Sequence, residues 1–252
     1  IGYQAGQSGQ SKQAIAIGAS AGASGQGAAS IAIGISAGWN KQGEQAIAIG
    51  LEAGATGQEA GSIAIGQQAG VGGSQGIHAA MVKSGSIVIG RQAAFRGCQA
   101  DSIFIGTSAG GNLTSFMEGD ANRIAIGYNA MRDNGGSGSI AIGEFAGAKS
   151  INEKNIAIGS YAGYSHLNFA EEHEHIAIGS SAGAYGVGSA YTISIGTEAG
   201  HTAQNSEAIA IGRQAGMTGQ GIQAIAIGSG AGQTGQGTGS IAIGMQAGGS
   251  AQ

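Results

Sequence analysis

The chain has 252 residues, of which 53 are glycine and none is proline, yet the glycines follow no Gly-X-Y period, so a collagen triple helix is excluded. A net charge of −4 with only 10% charged residues argues against nucleic-acid binding, which needs a clustered basic face. No apolar run is long enough to span a membrane, and the single cysteine, Cys98, excludes a disulfide framework within one chain.

One motif, Ile-Ala-Ile-Gly-x-x-Ala-Gly, recurs from the start of the chain to its end. After a shortened copy at residues 1–6, copies begin at Ile15, Ile31, Ile47, Ile63, Ile87, Ile103, Ile124, Ile140, Ile156, Ile176, Ile193, Ile209, Ile225 and Ile241. The usual spacing is 16 residues, and the exceptions are 24, 21, 20 and 17. A fixed period this short predicts an all-β parallel solenoid of about fifteen stacked coils. We expect a single domain over residues 1–252 that begins in mid-repeat.

Each coil is expected to begin with a short strand, because Ile-Ala-Ile alternates with period two. The invariant pairs of isoleucines suggest that the isoleucine side chains fill the coil interior. Glycine follows the second isoleucine in every copy, which indicates a corner with positive φ or a very close backbone approach. Representative corner residues are Gly18, Gly50 and Gly228.

The residue between the two isoleucines is alanine in eleven of the fourteen full copies. With isoleucine assigned to the interior, a column of alanines suggests a surface pressed against another copy of the chain. The predicted subunit-contact residues are Ala48, Ala64, Ala210, Ala226 and Ala242. A glutamine ladder eleven residues after the first isoleucine is expected to form hydrogen bonds from coil to coil.

The motifs Ala14-Ile-Ala-Ile-Gly18, Ala46-Ile-Ala-Ile-Gly50 and Ala224-Ile-Ala-Ile-Gly228 resemble the head repeats of YadA-type trimeric autotransporter adhesins. Phrases such as Thr218–Gly221 are also similar to repeats in phage and large-virus fibre proteins. The resemblance implies a left-handed parallel β-roll assembled as a homotrimer. The repeat is somewhat longer here than in those adhesin heads.

Loop insertions follow the Ala-Gly step at residues 71–86, 111–123 and 164–175. Because they occupy one place in the repeat, they should emerge along one edge of the stack, where solenoids often bind ligands. The alternative is that the insertions cover the roll or pad a subunit contact. The candidate ligand or partner residues in these loops are Leu113, Phe116, Met117, Tyr164, Leu167 and Phe169. His173 and His175 are weak metal-ligand candidates, with a solvated edge as the alternative.

The function predicted from these patterns is a non-catalytic structural or adhesive fibre segment on a cell or virion surface. Its partner would be itself, as a trimer or a longer fibre, with host surface glycans or proteins as further partners. We expect no enzyme activity and no cofactor, since neither a nucleophile elbow nor a phosphate loop is visible. The main alternative is a glycan- or receptor-binding module that uses the edge loops. An ice-binding solenoid is a remote alternative, because the two positions after Ile-Gly vary too much for a regular array.

Overall fold

A computed structural model describes residues 1–72, 82–112, 122–133, 136–149, 154–165, 174–186 and 189–250 of the chain. Within these residues the regular structure is entirely β, as the repeat predicts, and the strands form a parallel β-solenoid. The chain divides into two compact units, Ile1–Asn129 and Ala130–Gln252.

The first unit stacks one short strand from each coil into a parallel sheet. Its strands are β1 Ile15–Ile17, β2 Ser24–Gln26, β3 Ile31–Ile33, β4 Asn40–Gln42, β5 Ile47–Ile49, β6 Ile63–Ile65, β7 Ile87–Ile89, β8 Ile103–Ile105 and β9 Ile124–Ile126. Strands β2 and β4 pair separately, later in their coils. In the main sheet each first isoleucine lies opposite the first isoleucine of the next coil, as in Ile15 with Ile31.

The second unit repeats this arrangement. Its strands are β10 Ile140–Ile142, β11 Ile156–Ile158, β12 Ile176–Ile178, β13 Ile193–Ile195, β14 Ile209–Ile211, β15 Ile225–Ile227 and β16 Ile241–Ile243. The register survives the insertions: Ile156 pairs with Ile176 across a spacing of 20 residues, and in the first unit Ile63 pairs with Ile87 across 24. The strands therefore keep the same register on either side of each insertion.

The core of each unit consists mainly of alanine, and the sequence-based assignment of isoleucine to the interior is wrong. We number each coil from its first isoleucine, so the central strand residue is position two. The alanines at positions two and seven are buried and pack together, as Ala210, Ala215, Ala226 and Ala231 do. The isoleucines of the same strands are half-buried or exposed, because neighbouring residues in a strand face opposite ways.

The narrowness of the coil explains why alanine lies inside. A Cβ added at Gly232, in position eight, would lie only 3.3 Å from the Ala226 Cβ. The two walls of the coil are thus separated by little more than a methyl contact. An isoleucine at position two would overfill this space, and overpacked cores are destabilised.

The glycine at position four forms the corner that ends each strand. Gly18, Gly50 and Gly228 have φ values of 127°, 127° and 126°. A Cβ on Gly50 would also lie 2.7 Å from the carbonyl oxygen of Gly66 in the next coil. Positive φ and close backbone approach therefore both require glycine there.

The glutamines at position twelve close the coil from inside. Gln220 is buried and its Nε2 donates to the carbonyl oxygens of Ile209 at 2.8 Å and Ala224 at 3.1 Å, both within its own coil. Gln42 donates similarly, with a further bond of 3.3 Å to Gln58 Oε1 in the next coil. The ladder thus bonds mainly within coils, whereas the sequence analysis expected bonds between them.

The same glutamines explain why position eight is usually glycine. A Cβ at Gly22 would lie 2.6 Å from Gln26 Oε1. The two coils with a larger residue at position eight, Ala94 and Met131, have no glutamine at position twelve. Both residues keep a positive φ, of 42° and 51°. In the coils that have the glutamine, its carboxamide therefore adds a steric reason for glycine to the positive φ of this position.

Larger core residues fill the later coils of the first unit, where the glutamine ladder is interrupted. Val88 and Phe104 replace the central alanine and are fully buried. Cys98 occupies position twelve, where other coils have glutamine, and it is buried. Burial raises the pKa of its thiol to about 11. Cys98 is therefore a packing residue and a poor nucleophile at neutral pH.

Candidate functional site

An extended candidate surface is formed by the isoleucines at positions one and three of the stacked strands, which we call the isoleucine face. In the second unit it comprises the paired isoleucines of β10–β16, and in the first unit those of β1, β3 and β5–β9. Each side chain is partly covered by its equivalents in neighbouring coils. Where a neighbour is lacking, at β16, the exposed fractions of Ile241 and Ile243 rise to 63% and 65%.

The size of this face can be worked from the strand geometry. Three residues at about 3.3 Å each and seven strands at about 4.8 Å give roughly 300 Å² of flat apolar surface on each unit. A contiguous apolar patch of this size is comparable to the largest patch on a typical monomeric protein, and such patches are often functional. Parallel sheets are also usually covered on both faces. The isoleucine face therefore has the properties of a contact surface.

The predicted subunit contact through the alanine column is wrong for the same reason that the interior was misassigned. Ala48, Ala64, Ala210 and Ala226 are fully buried within their own chain, and Ala242 is 3% exposed. They pack against the position-seven alanines of the same coils, as Ala226 does against Ala231. No surface remains on them for a second chain to contact.

The insertion residues fall mainly outside the described part of the chain. Leu113, Phe116, Met117, Leu167 and Phe169 lie outside the described residues, as does His173. Tyr164 is described and half-buried, and its ring centroid lies 5.3 Å from that of Tyr161. Of the six candidate ligand or partner residues in the insertions, Tyr164 is thus the one whose contacts the structure describes.

His175 is not placed as a surface metal ligand. It is buried; its Nδ1 lies 2.8 Å from Thr192 Oγ1, and its backbone N–H donates to Asn155 Oδ1 at 3.0 Å. It belongs to a column of buried residues that directly precede the strands. In this column the side chains accept hydrogen bonds from the backbone of the next coil, as Ser139 Oγ does from the Asn155 N–H and Asn155 Oδ1 from the His175 N–H. Among the described residues, no group of three or more histidine, cysteine or acidic residues could hold a metal ion.

Sequence reasoning missed two features of the surface. It placed the isoleucines inside, and it did not group Phe145, Tyr161, Tyr185 and His201, which lie on successive coils together with Tyr164. Aligning the repeats by coil position would have shown Phe145 and Tyr161 at position six, where other coils have polar residues or glycine.

Over the described residues, no helix has the length and apolarity required to cross a bilayer. Comparison with protein-family models, with curated proteins and with solved structures finds no match to this chain.

Proposed function

We propose that this chain is a non-catalytic structural segment of an adhesive surface fibre, and that copies of it associate through the isoleucine face. The observation that carries the proposal is the two-column array of partly exposed isoleucines that runs along the parallel sheet of each unit. A single chain leaves this apolar array in contact with water.

The chemistry of the face supports a second copy of the chain as its partner. Isoleucines repeat at the strand spacing and in fixed register, so the face of one copy offers the same periodic surface as the face of another. Flat β-branched surfaces of equal period can interdigitate along their whole length. The side chains at positions one and three carry no charge that would oppose this contact.

The stoichiometry we propose is three, in line with the resemblance to trimeric adhesin heads. Three copies related by a rotation axis would bury their isoleucine faces together, and closed symmetry avoids open-ended aggregation. The assembled rod would then present the other positions of each coil to the exterior, where a fibre contacts its surroundings.

Substitution on the face tests the proposal. We expect the double variant Ile209→Lys with Ile225→Lys to be monomeric, because two buried ammonium groups per chain are costly without partners. The assay is the molar mass by light scattering after size-exclusion chromatography, with circular dichroism to check that the strands remain.

A matched control is available in the same coil. Ile222 is 47% exposed but lies outside the strand, so Ile222→Lys should leave the mass of the assembly unchanged. If both the face variant and the Ile222 variant keep the assembled mass, the contact lies elsewhere and the proposal is wrong.

A further inference from the structure

Five aromatic side chains form a continuous strip on four successive coils of the second unit: Phe145, Tyr161, Tyr164, Tyr185 and His201. Ring centroids are 5.0 Å apart for Phe145 and Tyr161, 5.3 Å for Tyr161 and Tyr164, 6.1 Å for Tyr164 and Tyr185, and 5.2 Å for Tyr185 and His201. The three intervals between four coils, at about 4.8 Å each, give the strip a length of roughly 14 Å. We call this set the aromatic strip.

The strip is only partly used for packing. Phe145 and Tyr161 stack at 24°, but Tyr164 and Tyr185 meet at 72° and Tyr185 and His201 at 76°. Tyr161 and Tyr185 remain 38% and 44% exposed. A ladder that served stability alone would stack equivalent positions from coil to coil, whereas these rings come from positions six, nine and ten.

The backbone at two of these positions disfavours aromatic residues. Phe145 and Tyr161 occupy position six, with φ values of 54° and 58°. Bulky residues are outliers in this left-handed region. Elsewhere position six has polar residues such as Ser20, Gln68 and Gln214, or glycine at residue 230. Aromatic residues at position six thus set these two coils apart from the others.

Polar groups border the rings. Lys149 Nζ lies 5.2 Å from the centroid of Tyr164, and His201 Nδ1 lies 2.9 Å from Thr202 Oγ1. The tyrosine hydroxyls add further donors and acceptors. Aromatic surfaces beside hydrogen-bonding groups fit a ligand whose faces carry C–H bonds and whose edges carry hydroxyls, which describes a pyranose ring.

Other extended ligands fit less well. Single-stranded nucleic acid also stacks on aromatic rings, but it needs a basic groove along its phosphates. Here Glu144 directly precedes Phe145, Glu198 occupies position six two coils after Tyr161, and the chain has a net charge of −4. We propose that the aromatic strip is a binding site for a neutral oligosaccharide in an extended conformation, aligned along successive coils.

Fluorine NMR of the full chain labelled with 3-fluorotyrosine tests this directly, with cellohexaose and chitohexaose as separate probes. The chain has six tyrosines, three in the strip and three outside it, at Tyr3, Tyr128 and Tyr191. We expect at least one hexasaccharide to shift the resonances of Tyr161, Tyr164 and Tyr185 in a saturable manner and to leave the other three unchanged.

Variants then measure the contribution of the rings. Tyr161→Ala with Tyr185→Ala should weaken binding about tenfold or more, since two ring contacts are removed. Tyr191→Ala, at a tyrosine that is 57% exposed outside the strip, should leave affinity within about twofold. If the double variant does not fold, the wild-type resonance map alone decides.

Three results would overturn the proposal: no strip resonance moves with either hexasaccharide at millimolar concentration, all six tyrosines move alike, or oligothymidylate shifts the strip while the sugars do not. The strip lies at positions six to ten and the isoleucine face at positions one and three. A chain that stays monomeric can therefore still bind sugar, and the two proposals fail separately.

Discussion

Replacing the corner glycine Gly50 with alanine should destabilise its coil strongly, and the structure shows why. At φ of 127° the backbone lies outside the region that L residues occupy readily. The added methyl would also lie 2.7 Å from the Gly66 carbonyl oxygen and 2.8 Å from its carbon. These atoms belong to the backbone of the next coil, which cannot move without disturbing the Gly66 N–H bond to Ile49.

The two costs can be estimated separately. Backbone strain of this kind costs about 1–3 kcal/mol. Forcing a methyl into a filled space costs about 1–3 kcal/mol more. We therefore expect Gly50→Ala to lower the free energy of unfolding by about 2–6 kcal/mol.

Gly61 supplies a matched control in the following turn. Its φ is 67°, and a Cβ there would meet no atom within 4 Å. Left-handed backbone costs alanine about 1–2 kcal/mol, and the loss of unfolded-state entropy returns about 0.4–1 kcal/mol. Gly61→Ala should thus reduce stability by only about 0–1.6 kcal/mol.

Urea unfolding monitored by circular dichroism gives the stability difference, and hydrogen exchange at Gly66 shows whether the damage is local to the corner. The Gly66 amide should exchange faster in Gly50→Ala and at the wild-type rate in Gly61→Ala. Equal stability of the two variants would refute the argument that close approach between coils dictates glycine.

Three further predictions follow from the interior of the coil. Gln220→Ala should cost about 2–3 kcal/mol through two lost buried hydrogen bonds and a cavity, while the exposed Gln223→Ala should be nearly neutral in the same thermal melts. Ala226→Glu should abolish folding of its unit, seen as lost circular dichroism, whereas a folded monomer would show that Ala226 faces a partner chain. Cys98 should resist iodoacetamide at pH 8 until the chain unfolds. Since its thiol titrates near pH 9.0 when exposed and about 11 when folded, stability should fall over that interval, and less so in Cys98→Ala.

The positions and register of the strands could be predicted from the sequence because every coil repeats the same Ile-Ala-Ile-Gly step. Which side chains of each strand point into the coil could not be predicted. Period-two alternation shows that each strand has two faces, but it does not show which face points inward. Isoleucine is more hydrophobic than alanine, so hydrophobicity alone favours isoleucine in the interior. A 16-residue coil with tight corners is narrow, and its interior admits only a methyl group at Ala226 or Ala231. Alanine therefore lies inside the coil and isoleucine outside.

The aromatic strip was missed for a different reason. Phe145 and His201 are 56 residues apart in the sequence, and they join one surface only because the coils stack. Tyr164 was singled out as a member of an insertion, yet its ring also contacts rings from neighbouring coils, including Phe145 at 6.2 Å. Coil position, rather than distance along the chain, determines which side chains meet in a solenoid.

The mass of the unmodified chain in solution tests most directly whether the isoleucine face is a contact between copies. Sedimentation equilibrium over a range of micromolar concentrations should give three times the 24.3 kDa of one chain. A mass of 24.3 kDa at every concentration would mean that the isoleucine face stays open to water, and it would contradict the proposed assembly.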